Sequence, residues 1–396
     1  MTNKSSETFC VLPWIHLATH PNGNVSLCCQ ADFTNGAGMA QTDSKFHNLN
    51  DETIESHVNS DLFKRTRLAM LNNIQPPECS KCYKSEKLTG SSKRTIENRN
   101  FDQYTIKDAT TDTSTDGTIT PSFKFIELRL GNVCNAKCVT CNPASSTKWR
   151  KDYNIIQTDL PYVTQYTESI NTGWAEDQRF WTELHEHVDA NTVFYINGGE
   201  PTLVEAHWEF IRDLKTRGLT SVTLHYNINM RQIPDFAFEL WNNFTNVYIS
   251  CSIDDLEDRN EYIRYPTAWD AVISNLEKLL EYDFNVSITQ TVSLLNYWYL
   301  PEFYQVFAVG YNIPIHHNIV TDPPFLNPTV LSTAFKIKCR TKLLNSDMPI
   351  DITQPLISKV ESIDDSHLIP QAKQYLGKLD EIRGTAFNSI FTGIIL

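Results

Sequence analysis

Between residues 123 and 320 short β-branched or apolar runs alternate with segments of helical period, and this alternation limits the fold more than any other feature of the chain. Strand-like runs occupy 123–130, 192–197, 221–227, 246–252, 285–293 and 313–320. Between them, Leu203, Ala206, Phe210, Ile211 and Leu214 follow helical spacing and stop near Gly218, and 235–242, 268–282 and 299–309 also read as helices. Strand-helix alternation at this interval predicts a parallel α/β sheet whose chemistry sits on the loops at the C-terminal ends of its strands. Six strands are fewer than a closed eight-stranded barrel needs, so a partial (β/α)6 TIM-like barrel is the expected architecture.

Cys134, Cys138 and Cys141 form C-x3-C-x2-C directly after the first of these runs. Three thiolates in one short loop can hold three irons of a [4Fe–4S] cube and leave the fourth iron open to a chelating molecule. A partial zinc site or unrelated loop thiols are the alternatives, although structural zinc wants a fourth protein ligand. One βα unit later the chain reads N-G-G-E-P, where Gly198 and Gly199 allow a close backbone approach. Glu200 offers a carboxylate to an ammonium, and Pro201 suits the first turn of the next helix.

C-x3-C-x2-C followed by G-G-E-P on successive strands resembles the radical S-adenosylmethionine (SAM) family, whose fold is a partial TIM barrel. The resemblance implies that Cys134, Cys138 and Cys141 bind a catalytic [4Fe–4S] cluster whose open iron takes the amino and carboxylate groups of SAM. It implies that Gly198, Gly199, Glu200 and Pro201 meet the methionine ammonium. It also implies that Ser252 and Asp254, in S-C-S-I-D-D, face the barrel interior, with Arg264 in reach of the cofactor carboxylate. Thr140 stands where many members carry an aromatic residue against the adenine. Strand alternation sends Cys251 outward into the core, and Cys339, in a helix over 333–344, is read as structural. Of His316 and His317 on the sixth strand only one can face inward, where it could serve a substrate as acid or base or stand as a satisfied polar residue.

The first hundred residues hold Cys10, Cys28, Cys29, Cys79 and Cys82. An alternating segment with an Asn22–Gly23 turn predicts a hairpin that folds Cys10 back toward Cys28, a connecting helix follows, and P-P-E-C-S-K-C delivers a C-x2-C pair. Zinc is the ordinary reading of two thiol pairs. The arrangement also resembles the SPASM/twitch auxiliary domain, which implies a second [4Fe–4S] cluster on Cys10, Cys28, Cys79 and Cys82, although such domains usually follow the barrel and here the elements precede it. Adjacent strand residues face oppositely, so one of Cys28 and Cys29 is expected at the site, and Cys28 is the choice.

These readings divide the chain into a SPASM/twitch-like α+β domain over 1–104, a Thr/Asp/Ser-rich linker over 105–121 that is flexible or runs along the surface, the barrel over 122–325 and a helical extension over 326–396. A formal net charge of -13 argues against broad nucleic-acid binding, which needs a basic field, and the one local basic run, Lys81 to Arg99, reads as a helix over the auxiliary site before it reads as a polyanion contact. The polar start and a short apolar tail predict neither a signal peptide nor a membrane span, and ten cysteines without a leader predict cluster ligands in a reducing cytoplasm. The expected function is reductive cleavage of SAM to a 5′-deoxyadenosyl radical that oxidatively modifies a peptide or small-molecule substrate, the second cluster carrying electrons and a flavodoxin or ferredoxin supplying them. A methylthiotransferase is disfavoured because no RNA-binding domain is visible. The alternative of a different class is a zinc- or cluster-binding redox-sensing scaffold without turnover.

Overall fold

A computed structural model describes residues 7–164, 166, 173–394 and 396; the polar start at 1–6 and position 395 of the apolar tail lie outside the described residues. The strands are β1 (His16–Thr19), β2 (Val25–Ser26), β3 (Gln41–Thr42), β4 (Lys45–Phe46), β5 (Phe125–Arg129), β6 (Val193–Asn197), β7 (Thr223–Ile228), β8 (Asn246–Ser252), β9 (Asn285–Val292) and β10 (Ile315–Ile319). The chain gathers into two compact units, Met1–Gly131 with Ile170–His225 and Asn243–Asn246, and Asn132–Ser169 with Tyr226–Asn242 and Val247–Leu396.

In the first unit β5 pairs in parallel with β6, from Phe125 opposite Val193 to Arg129 opposite Asn197. On its other edge β5 pairs in parallel with β1, which forms an antiparallel hairpin with β2. The first strand of the alternation and the cysteine-rich hairpin therefore share one sheet. Its turn closes with the His20 amide on the Asn24 carbonyl at 2.8 Å, and Gly23 takes the φ of 84° that favours glycine. Phe9, Val11, Leu12, Trp14, Ile15, Met70 and Ile119 are buried together beneath it.

The connecting helix divides at Asn59 into Ile54–Val58 and Asp61–Leu71. Arg67 of the latter is fully buried, and its guanidinium donates to the carbonyls of Gly117, Pro13 and Val58 at 2.8, 2.9 and 2.7 Å. Those bonds bear on the expectation for 105–121. Of the flexible and surface-running alternatives the segment takes the second, with a largely exposed helix, Ile106–Asp112, and a pinned Gly117. The helix starts from a capping box in which Asp108 Oδ2 accepts from the Thr105 amide and hydroxyl at 2.8 and 2.6 Å, so local capping supplies what apolar periodicity does not.

In the second unit β8 and β9 run parallel from Tyr248 opposite Asn285, and β9 and β10 from Ile288 opposite Ile315. Helix Trp269–Leu280 connects the first pair, and Leu300–Tyr304, continuing as a π-helical segment Gln305–Gly310, connects the second. The C-terminal extension is helical over Thr333–Leu344, Ile350–Glu361 and Ile369–Arg383. Its Leu356, Ile357, Tyr375, Leu376 and Leu379 share a core with Val139, Trp149, Tyr153, Val292 and Leu300. Cys251 and Cys339 are buried.

Candidate functional site

The loop after β5 is built to hold three sulfurs in fixed places. The Lys137 and Val139 amides each donate at 2.7 Å to the carbonyls of Tyr265 and Ile263, so the loop lies along the segment that carries Arg264. Trp149 Nε1 and the Cys141 amide both donate to the Cys138 carbonyl, at 3.0 and 2.9 Å. Cys134 Sγ accepts from the Ala136 amide at 3.4 Å and from Asn229 Nδ2 at 3.7 Å, while the same Asn229 amide nitrogen donates to Asn135 Oδ1 at 2.7 Å. Burial pushes the Cys141 thiol up to about 12, with Cys138 and Cys134 adding to the shift. Burial also raises Cys138, and the charges of Arg264 and Arg383 oppose it.

Arg264 is the centre of the electrostatics. Its Nη1 donates to Asp254 Oδ2 at 2.9 Å, its Nε is buried without a hydrogen-bond partner, and its charge acts on Cys138 and Cys134. Asp254, 0% exposed, is itself fully engaged: Oδ1 accepts the Thr291 amide at 2.7 Å, and its carbonyl accepts from Gln290 Nε2 and Asn296 Nδ2 at 2.8 and 2.7 Å. Asp254 thus aims the guanidinium. Ser252 Oγ donates to Asn227 Oδ1 at 2.9 Å. On β10, His316 is exposed and His317 half-buried. His317 Nδ1 lies 2.8 Å from Gln290 Oε1, and since the amide nitrogen of Gln290 is donating elsewhere, Nδ1 carries the proton and the buried, unpartnered Nε2 is an acceptor. Burial pulls the imidazole down to about 4.

Gly198 to Pro201 belong to the first unit. Gly198 has φ 143°, and a Cβ there would stand 2.7 Å from the Leu130 amide nitrogen; the Gly199 amide donates to the Gly131 carbonyl at 2.9 Å. Backbone packing against the end of β5 is what requires glycine at 198. Glu200 is buried, and its Oε1 accepts from the Thr202 amide and hydroxyl at 3.2 and 2.8 Å, capping the short turn Pro201–Leu203.

The second group of thiols lies wholly in the first unit. Cys79 ends a 3₁₀ turn and caps helix Ser80–Thr89, whose first turn contains Cys82. Cys10 feels the charge of Cys82, Cys28 that of Cys10, Cys29 and Cys82, and Cys79 that of Cys10, Cys28 and Cys82, so the four thiols lie in one neighbourhood. Burial is the main cause that raises Cys10, Cys28 and Cys79, Cys10 up to about 12. Helix-terminal amides beside Cys79 and Cys82 favour a negative group there. Cys29 also meets Glu127: burial and that carboxylate push it up to about 11, with Lys93 opposing.

Arg383 and Asn229 are site residues that the sequence reading does not single out. Arg383, the last residue of Ile369–Arg383, donates from Nη2 to the Lys137 carbonyl at 2.8 Å and lies over the Trp149 ring at 4.6 Å. Tyr375, two turns earlier, donates to the Val139 carbonyl at 3.3 Å. The helical extension therefore clamps the cysteine loop. Arg383 standing immediately before the helix-ending Gly384 is the one local signal, and it marks a C-cap rather than a site.

Residues 10–83 match the family model of SPASM, an iron–sulfur cluster-binding domain, a stretch that begins at Cys10 and ends one residue after Cys82. No curated protein matches the chain. Among solved structures, it is similar to native anSMEcpe with bound AdoMet, at 16% identity and a TM-score of 0.38 over 55% of this chain and 57% of that one. It is similar to Streptococcus suis SuiB at 13% identity and a TM-score of 0.37, over 66% of this chain and 56% of that one. The similarity to TYW1 with a lysine-pyruvate adduct bound is 15% identity and a TM-score of 0.31, over 56% and 74%. The chain thus spans little more than half the length of the first two.

Proposed function

We propose that this chain is a radical SAM enzyme with an auxiliary iron–sulfur cluster. The carrying observation is the loop of a buried Cys134 and half-buried Cys138 and Cys141 set beside a guanidinium whose Nε has no hydrogen-bond partner. Three sulfurs, an unspent donor and a rigid backbone fit a cubic cluster with one open iron. When bound, the reduced cluster would supply the one electron that breaks a C–S bond of SAM, giving methionine and a 5′-deoxyadenosyl radical able to take hydrogen from a substrate.

The protein's own residues position and tune. Arg264 and Arg383 offset the charge of three thiolates, and the Ala136 and Asn229 donors on Cys134 Sγ further favour the more reduced state. Asp254 acts as a positioning residue by holding Arg264. Gly198, Gly199, Glu200 and Pro201 are assigned to the SAM ammonium, Glu200 being oriented by Thr202. Ser252 is assigned to the cofactor side of β8, and the acceptor Nε2 of His317 makes it the better placed of the two histidines to meet a substrate.

Cys10, Cys28, Cys79 and Cys82 are assigned to the auxiliary [4Fe–4S] cluster, in the segment that matches an iron–sulfur-binding domain. Four thiolates saturate a cube, so this cluster carries electrons and does not ligate the reactant. A substrate radical that gives its electron to it ends oxidised, and the class of reaction is an oxidative modification of a peptide or small molecule, with a flavodoxin or ferredoxin as donor. Anaerobic reconstitution tests the assignment: about eight irons per chain are expected, and about four after Cys134, Cys138 and Cys141 are together replaced by Ala. Iron unchanged by the triple substitution refutes it.

A further inference from the structure

Eleven residues of the first unit, His47 to His57, fold into a second kind of metal-ligand set that contains no thiol. His47, Glu52 and His57 each bring one ligand atom within 4.8 Å of the others. His57 is 0% exposed, and neither ring nitrogen has a hydrogen-bond partner; the backbone of Asn48 comes near one without hydrogen-bond geometry. A buried imidazole left without a partner is destabilising unless something binds it.

The other two residues are aimed rather than merely close. His47 Nε2 is 3.0 Å from the Thr42 hydroxyl, which can accept its proton and so leave Nδ1 as a lone pair. That Nδ1 lies 3.1 Å from Glu52 Oε2, yet both atoms lack a hydrogen-bond partner because the approach is not aligned for an N–H···O bond. Two acceptors facing each other off-line at this distance call for a cation between them. Glu52 is not needed to cap the helix Ile54–Val58, since the carboxylate of Glu183 takes the Ile54 and Glu55 amides at 2.9 and 3.1 Å. Asn48 braces the loop, its Nδ2 donating to the Asn22 carbonyl and Asn24 Oδ1 at 2.7 and 3.0 Å.

We propose that His47, Glu52 and His57 bind one divalent transition-metal ion of the zinc type, in a His₂Glu site with a fourth position open to solvent. Two imidazoles and a carboxylate are an established donor set for such ions, and Glu52, with its side chain 26% exposed, gives solvent a path. The ion would fasten the β3–β4 segment to the helix that follows it.

The test uses the full chain with its iron already loaded, dialysed against Zn²⁺ and then a weak chelator, with zinc and iron counted by mass spectrometry. One zinc per chain is expected in the parent protein. Glu52→Gln and His47→Gln should each weaken zinc binding at least about tenfold with iron content unchanged. Zinc that persists undiminished in both variants would sit on stray thiols and overturn the proposal, as would a parent chain that takes up none. Because either variant could disturb the fold, Co²⁺ is also added to the parent protein. Visible d–d bands without thiolate-to-cobalt charge transfer support a nitrogen–oxygen site, and thiolate charge transfer alone overturns it.

Discussion

Replacing Arg264 by Ala removes the cation bonded to Asp254, a carboxylate that is 0% exposed. Asp254 keeps the Thr291 amide at 2.7 Å but loses its 2.9 Å guanidinium partner, and a buried charge stripped of its counter-ion costs about 3–5 kcal/mol. Exposed pairs such as Lys278 with Asp235 would lose almost nothing on the same treatment. At a urea m-value of about 3 kcal/mol/M the midpoint should fall by roughly 1–1.7 M. The assay is urea unfolding of the metal-free chain followed by circular dichroism, with thiols kept reduced. Adding Asp254→Asn to the variant deletes the stranded charge while keeping an acceptor for Thr291, so the double variant should be more stable than Arg264→Ala alone. The variant also removes the cation that lowers Cys138, so its thiolates should form only at higher pH and take up iron more slowly. An unchanged midpoint in Arg264→Ala would refute the reasoning, and a double variant no better than the single would show that the damage is not the buried charge.

Acid should destabilise the metal-free chain before its carboxylates titrate. Burial lowers His207 and His317 from 6.5 to about 4 in the fold, so the unfolded state binds more protons and stability falls as pH drops from 6.5 toward 4. Each group contributes at most about 3 kcal/mol, and a Tm at pH 5 equal to or above that at pH 7 would count against it. In the auxiliary site, Cys79→Ala should abolish product while 5′-deoxyadenosine still forms, because hydrogen abstraction precedes electron transfer. Product at the parental rate from a folded variant that has lost its second cluster would make that site structural.

What the sequence discloses and what it hides follow from how local each signal is. Strands β5, β8 and β9 were legible within a residue or two because their alternation and glycine or polar boundaries are local. The cysteine groups stand out in the sequence because C-x3-C-x2-C and C-x2-C are spacings, whereas the strand alternation expected to separate Cys28 from Cys29 does not reach them, since β2 ends at Ser26. Asn229 and Arg383 were not legible: they meet the cysteine loop from 95 and 246 residues away, and nothing beside them announces it. Helix Ile106–Asp112 was hidden by its lack of an apolar stripe, though Thr105-x-x-Asp108 was a readable capping signal. His47, Glu52 and His57 carried a sign in their even five-residue spacing, which means little until a turn and a short helix bring them together.

Cleavage of SAM by the reduced protein, read as 5′-deoxyadenosine formed without added substrate, tests the central claim most directly. The iron-loaded parent chain should form it slowly, since the uncoupled reaction needs only the cluster held by Cys134, Cys138 and Cys141 together with SAM. The chain with those three cysteines replaced by Ala, folded and retaining about four irons on its other site, should form none. No 5′-deoxyadenosine from an iron-loaded, reduced parent chain, or equal amounts from both proteins, would contradict the account.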